Sequence, residues 1–275
     1  MQQVPVDIIE NFQAKYPYPD SKLIPHHLGE EGSDGAIYRF RDQDVLLKIC
    51  YLGEECIRQD QLRFARRLDF LSFLFERGVP VVRPIASSSD RLFETADGES
   101  GCWVGYAMSY IRGKAPSPKV WNSDFVESWG GTIGKLHHAT REYPQWRNTV
   151  DPETGEELLR WESEWQNFYH LSDEQVIKEA WQRIHEDLNA LPLQRDNFGF
   201  IHNDPHIWNM RWDGSKAILL DFEVANHHWF LSDIANACQH VLFMLSGGLS
   251  QPMHHPERLG EFLRHFLMGY TQEYP

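Results

Sequence analysis

The chain reads as an α+β protein in two lobes, a small antiparallel β lobe at the N-terminus and a larger, mainly helical lobe after it. Three features predict this. Short apolar or alternating runs at 36–40, 45–50, 80–85, 91–95 and 102–110 crowd the first 112 residues around one long helical stretch. Beyond residue 113, apolar residues recur at three- and four-residue steps, the period of a helix with one buried face. Strands and helices do not alternate, which counts against a dinucleotide-binding α/β fold.

The elements follow in order. Val6 to Lys15 is a short amphipathic helix that Tyr16-Pro17-Tyr18-Pro19 must end. Gly29, Gly32 and Gly35 precede the alternating strand at 36–40, with Ser33 between them. Glycines there let backbone amides fold closely over an anion, although an ordinary turn has the same composition. The next strand, 45–50, carries Lys48 among Val45, Leu46, Leu47, Ile49 and Cys50. An ammonium inside an apolar strand is costly unless it meets anions, so Lys48 reads as a phosphate ligand. The competing reading is an edge-strand lysine that discourages aggregation. Helical spacing covers 55–77 and Gly78 stops it. Strands at 80–85, 91–95 and 102–110 follow, the last two joined through an Asp97-Gly98 turn. Gly113 through Pro118 is a composition break, which divides the chain into 1–112 and 113–275.

In the second lobe, 121–140 is a helix with Phe125, Trp129, Ile133 and Leu136 on one stripe. Residues 155–192 read as two helices, carrying first Leu158, Trp161, Trp165 and Phe168, then Ile177, Trp181, Ile184, Leu188 and Leu191. The first set could box a quaternary amine, but apolar residues at helical spacing are by default core. A helix opens at His228-Trp229-Phe230-Leu231, and Leu259, Leu263, Phe266 and Tyr270 stripe the last one.

The chemistry concentrates in 198–223. His202, Asp204 and Asn209 stand at the spacing H-x-D-x-x-x-x-N, and after eleven intervening residues come Asp221-Phe222-Glu223. Two apolar runs, 198–201 and 217–220, bracket this polar loop, so a hairpin-like unit turning at Asp213-Gly214 is expected. A carboxylate that orients a hydroxyl, beside oxygen ligands for Mg²⁺, is the set that phosphoryl transfer from a nucleotide requires. The order strand lysine, H-x-D loop, D-F-E segment is that of kinases.

These residues resemble the aminoglycoside phosphotransferase/choline kinase-like superfamily, small-molecule kinases with a protein-kinase-like fold. The family loop commonly reads H-G-D-x-H-x-x-N, and His206 supplies the second histidine; Asn203 stands where glycine is usual, and Ile207-Trp208 are bulky. The resemblance implies that Mg²⁺·ATP binds between the lobes and that its γ-phosphoryl passes to a hydroxyl oriented by Asp204. It assigns Asn209 and Asp221 to the metal, with Glu223 in support, and Lys48 to the nucleotide phosphates. Gly32 and Ser33 would cover those phosphates. A hinge at 108–113, with Ser109, Tyr110 and Ile111, would meet the adenine edge. An acid on the 55–77 helix would pair Lys48; Asp69 is the best match by distance from Val79-Pro80, with a solvated helix charge as the alternative. His202 would hold the loop by hydrogen bonds, and Asp233 would brace it from a helix start. The histidine of the G-x-x-x-x-L-H signature, His137, would be structural.

The implied activity is an ATP-dependent kinase acting on an aminoglycoside, amino alcohol or hydroxy amino acid. The phrase 229–235 leans toward the homoserine-kinase-like branch. An idle nucleotide-binding scaffold is the alternative, and four intact site residues argue against it. A protein kinase is disfavoured because no A-P-E segment follows Glu223. There is no G-x-S-x-G elbow or P-loop, and Pro205 opposes a helical His202/His206 metal pair.

Composition fits this reading. The chain has 275 residues, 41% hydrophobic, enough for a large core. Its net charge of −14 disfavours nucleic acid or an anionic membrane as partner. The first twenty residues lack a secretory pattern and no apolar run approaches a membrane span. Cys50, Cys56, Cys102 and Cys238 show no metal or disulfide spacing, so a reducing cytoplasm and free thiols are expected.

Overall fold

A computed structural model describes residues 4–26, 35–99, 101–113, 116, 121–162, 172–246 and 256–275. The chain divides into two compact units, Met1–Gly113 and Lys114–Pro275.

In the first unit, α1 (Val6–Lys15) buries Ile8 and Phe12, and Tyr16 follows it in extended backbone, as the prolines require. A six-stranded antiparallel sheet contains β1 (Leu23–Pro25), β2 (Gly35–Phe40), β3 (Val45–Gly53), β4 (Pro84–Ile85), β5 (Glu94–Gly98) and β6 (Gly101–Ser109). The order is β1-β2-β3-β6-β4, with β5 also on β6. Phe12 packs on Gly105 of β6 so closely that a Cβ there would enter its ring. The helix α2 (Arg58–Glu76) ends before Gly78, whose φ of +75° is the left-handed stop that glycine supplies.

Three expectations are corrected here. The strand at 80–85 shrinks to Pro84–Ile85, because Pro80 has no N–H to give a ladder and the Val81 amide is spent on the Val79 carbonyl at 2.8 Å. Asp97 and Gly98 still pair with Cys102 and Gly101, so the turn falls after them. Cys56 and Cys102 form a disulfide, Cα atoms 5.1 Å apart, and are not free thiols. The pairing of Gly53 with Cys102 carries the segment ahead of α2 past β6, a meeting that spacing along the chain does not encode.

The second unit is built on two closely packed helices, α3 (Ser123–Thr140) and a C-terminal helix, Pro256–Glu273. Asn122 caps α3 by accepting from the Phe125 amide at 2.9 Å. The helices approach at Gly130, Gly134 and Gly269, where any Cβ would run into the facing backbone. Trp129, Phe262 and Phe266 fill the space beside them.

The described start of the first helix expected within 155–192 is instead one arm of a hairpin, β7 (Thr149–Val150) with β8 (Glu157–Leu158), turning at Gly155 with φ +73°; 163–171 lie outside the described residues. Leu158 and Trp161 are core, as their default use predicts, while Trp165 and Phe168 lie outside the described residues. The second helix is α4 (Gln175–Asn189), and its Trp181 and Leu188 pack on a cluster of Trp161, Phe198 and Trp229.

The expected pairing of 198–201 with 217–220 is also corrected. β9 (Phe198–Ile201) pairs with β12 (Asn226–Trp229), and β10 (Met210–Trp212) pairs with β11 (Ala217–Leu219) around the Asp213-Gly214 turn. Residues 207–209 form a 3₁₀ turn that redirects the chain into β10 and so frees β9 for a later partner. His228 and Trp229 are therefore strand, and α5 (Leu231–Ser246) begins two residues on; the C-terminal helix is α6. Among the described residues no helix is long and apolar enough to cross a membrane.

Candidate active site

The loop between β9 and the 3₁₀ turn is held from four directions. Asp233, fully buried in the first turn of α5, accepts from the Asn203 amide at 2.7 Å and the His202 amide at 3.2 Å. His137 of α3 approaches the same carboxylate through Nε2 at 3.2 Å. The Tyr270 hydroxyl of α6 meets its Nδ1 at 2.9 Å, and Phe230 stacks on the ring at 4.4 Å. Nε2 must then carry the proton and Nδ1 must accept. Asn236, one turn along α5, donates to the Asn203 carbonyl at 2.9 Å.

Asn203 has φ +68°, the left-handed region open to glycine and tolerated by asparagine. This explains why asparagine can stand where glycine is usual. Its side chain also donates to the Val224 carbonyl at 3.3 Å. His202 is buried and bonds twice, its Nδ1 accepting from the Asp204 amide at 3.2 Å and its Nε2 donating to the Leu220 carbonyl at 2.7 Å. One imidazole thus links the loop to the residue before Asp221.

Asp204 is half-buried with its Oδ2 occupied. Asn209 Nδ2 donates to it at 3.0 Å and His206 Nε2 lies 3.3 Å away. Among the described residues nothing donates to Oδ1. Burial raises the Asp204 pKa; the His206 and His202 imidazoles oppose that, while Asp221 and Asp233 add to it. That Asp221 acts on Asp204 places the two carboxylates in one neighbourhood. The Leu220 amide donates to the Asn209 carbonyl at 2.8 Å, setting Asn209 beside the strand end that carries Asp221. Asp221 has φ +53°, a left-handed conformation at a functional carboxylate, and accepts from the Glu223 amide at 3.4 Å. Asn209 spends its amide nitrogen on Asp204, at the carbonyl (3.1 Å) and Oδ2, which leaves the amide oxygen for a cation. That oxygen with the Asp221 and Glu223 carboxylates is a hard-donor set suited to Mg²⁺.

In the first unit, Lys48 is 3% exposed on β3. Asp69 is exposed on α2 and takes Arg66 Nη1 at 3.2 Å. At the end of β6, the Ser109 amide donates to the Arg83 carbonyl at 2.8 Å and the Tyr110 amide to Asp44 at 2.9 Å. Of the three amides expected to meet adenine, Ile111's is the one these bonds leave over. Gly32 and Ser33 lie outside the described residues.

Asn236 and His240 were not singled out from the sequence. With Asp233 and Ala237 they follow the i, i+3, i+4, i+7 stripe of α5, a signal present in the sequence and masked by the apolar residues around it.

Residues 30–272 match the model of the phosphotransferase enzyme family. An amicoumacin kinase of Bacillus subtilis is 26% identical over 241 residues, covering 84% of this chain; the chain spans 66% of that relative, just under two thirds. Among solved structures, an amicoumacin kinase in complex with AMP-PNP, Ca²⁺ and Ami superposes with a TM-score of 0.79 at 22% identity, over 98% of this chain and 78% of that one. A microcompartment-associated aminopropanol kinase gives 0.68 at 16%, over 98% and 82%. A spectinomycin phosphotransferase with ADP and spectinomycin gives 0.55 at 16%, over 98% and 80%. The fold is the two-lobed kinase-like fold of these neighbours.

Proposed function

Because the chain belongs to the phosphotransferase enzyme family, we propose that it is an ATP-dependent kinase that moves the γ-phosphoryl group to a hydroxyl of a small molecule. The observation that carries this is the state of Asp204: one carboxylate oxygen is anchored by Asn209 and His206, the other takes no donor among the described residues, and Asp221 lies close enough to act on it. An anchored carboxylate with one open oxygen can take a hydroxyl's hydrogen bond, align its lone pair and receive the proton late in transfer. Bound Mg²⁺ supplies neutralisation of the nucleotide phosphates, and Asn209, Asp221 and Glu223 would hold it.

His202 and Asp233 position these groups without reacting. Both are buried, and their hydrogen-bonding atoms are engaged by the loop and its neighbours. Lys48 contributes positive charge to the nucleotide phosphates, and the Ile111 amide is available to adenine. Gly32 and Ser33 remain assigned to the phosphate loop, and Asp69 to the Lys48 partner, on the family pattern. Relatives named for amicoumacin, aminopropanol and spectinomycin support a small-molecule acceptor.

The test is Asp204→Asn assayed with Mg²⁺·ATP against hydroxylated amines, amino acids and aminoglycosides. The variant is expected to bind nucleotide normally and to lose roughly 10²–10⁴ in turnover. Full turnover in the variant, or a wild-type enzyme inert across the panel while nucleotide binds, would overturn the proposal and favour an idle scaffold.

A further inference from the structure

Trp208 occupies the middle of the 3₁₀ turn between Ile207 and Asn209. Ile207 is wholly buried, whereas Trp208 is 43% exposed. Its ring is nevertheless fixed. His206 meets it edge to face at 5.6 Å, and His240 of α5 meets it at 4.5 Å and 83°. His240 in turn lies 5.0 Å from His206 and 6.4 Å from Phe243, which is 39% exposed. His206 is the residue whose Nε2 touches Asp204 Oδ2. Two exposed aromatic rings, braced by two imidazoles, therefore stand one side chain away from the carboxylate.

A large apolar ring left at the surface beside reactive groups calls for a partner, because burial of such rings is strongly favourable. The chemistry of that partner can be narrowed. None of the four shelf residues carries a carboxylate, which a polyaminated sugar would seek. Burial, helped by His206, pushes the His240 imidazole down to about 4, so this part of the shelf is uncharged near neutrality. What the shelf offers is flat π surface and apolar area.

We infer that Trp208, edged by His240 and Phe243, is the platform for the acceptor, and that the acceptor carries a planar conjugated ring near the hydroxyl that is phosphorylated. This rests on the kinase reading and narrows it to a substrate class. Asp204 holds the hydroxyl at one end and Trp208 stacks the ring at the other.

The experiment uses matched acceptor pairs, an aryl compound against its ring-saturated counterpart, with phenylalaninol and cyclohexylalaninol as the first pair. Binding is followed by ligand-observed NMR in the presence of Mg²⁺·AMP-PNP, and turnover with Mg²⁺·ATP. Wild type is expected to bind the aryl member about five- to tenfold more tightly, the worth of one well-made aromatic pair. Trp208→Ala should weaken both members through the lost apolar area but the aryl member by about five- to tenfold more, erasing the difference, and Trp208→Phe should keep most of it. Equal binding of the two members by wild type, equal loss of both in Trp208→Ala, or no binding of either member would overturn the inference. Its failure is separable from that of the kinase reading. Transfer to a polyaminated sugar, indifferent to Trp208→Ala, sinks the platform and leaves a kinase. A Trp208-dependent ring preference without phosphoryl transfer to any hydroxyl does the reverse.

Discussion

Removing the Asp233 carboxylate tests whether the reactive loop is held in place from α5. In Asp233→Ala the Asn203 amide, the His202 amide and His137 Nε2 all lose their acceptor at a position with no solvent exposure. A buried donor left unsatisfied costs about 1–3 kcal/mol. Three of them, eased by water entering the space left behind, should cost roughly 3–5 kcal/mol, the range seen when a buried polar pair loses one member. Asp233→Asn is the sharper variant. Its amide oxygen can serve either the 2.7 Å contact to Asn203 or the pair at 3.2 Å, and its NH₂ then faces a donor on the other side. About 2 kcal/mol is expected, a fall of roughly 4–8 °C in the melting temperature of the second unit. Calorimetry reads that shift, and amide exchange over 198–209 should rise selectively. Turnover should fall more than nucleotide affinity, since Asp204 loses its aim while the first unit is untouched. A variant melting within about a degree of wild type, with unchanged exchange at 202 and 203, would refute the argument that this carboxylate holds the loop.

Other consequences are equally measurable. Asp204→Asn, studied without metal, should melt higher than wild type at neutral pH even as turnover disappears. Burial raises the folded-state pKa of Asp204, so in the window between its ordinary value and the raised one the folded state holds a proton that the unfolded chain has lost. Wild-type stability therefore falls as pH rises through that window, and the variant should lack this component. At φ +68°, Asn203→Gly should be close to neutral by thermal melt, whereas Asn203→Ala should cost about 1–2 kcal/mol for a left-handed residue with no side-chain bond. Reducing the Cys56–Cys102 bridge, which closes 46 residues, should destabilise the first unit by about 2–4 kcal/mol; a melt unchanged by a phosphine reductant, with both thiols alkylated, would remove the bridge from the stability of that unit.

How much of this the sequence disclosed depended on whether the determining contact was local. His202, Asp204, Asn209 and Asp221 could be read because the reacting groups lie within twenty residues and their order is set by the chemistry they share. The ends of α1 and α2 could be read because Pro17 and Gly78 act through their own backbone. The partner of β9 could not. Its four buried residues suit any apolar strand, and the choice of β12 over β11 is made by the 3₁₀ turn at 207–209, a conformation that depends on the His206 and Asn209 bonds of the folded loop. The start of the first helix expected within 155–192 departs similarly. Leu158 and Trp161 have helical spacing, but Gly155 and the buried Asp151, which accepts from the Glu153 amide, build a tight turn that wins over periodicity. The disulfide joins a loop to a strand across 46 residues, and no local pattern announces it.

The same contrast bears on how the site works. Among the described residues, the bonds that fix Asp204 come from within the second unit: His202 ties it to Leu220, Asn209 and His206 clamp its Oδ2, and Asp233 fixes the backbone just before it. These contacts are all made within the protein's own fold, and together they aim the carboxylate. Preorganisation of this kind has a cost, visible in the left-handed Asn203 and Asp221 and in the raised pKa of Asp204. The buried network of Asp233, His137 and Tyr270 is what offsets that cost. It follows that weakening the network at Tyr270, through Tyr270→Phe, should lower turnover even though Tyr270 contacts no reacting group. The shortfall should appear in kcat with the KM for ATP unchanged, and equal effects on both would mean that the hydroxyl supports only the packing of α6.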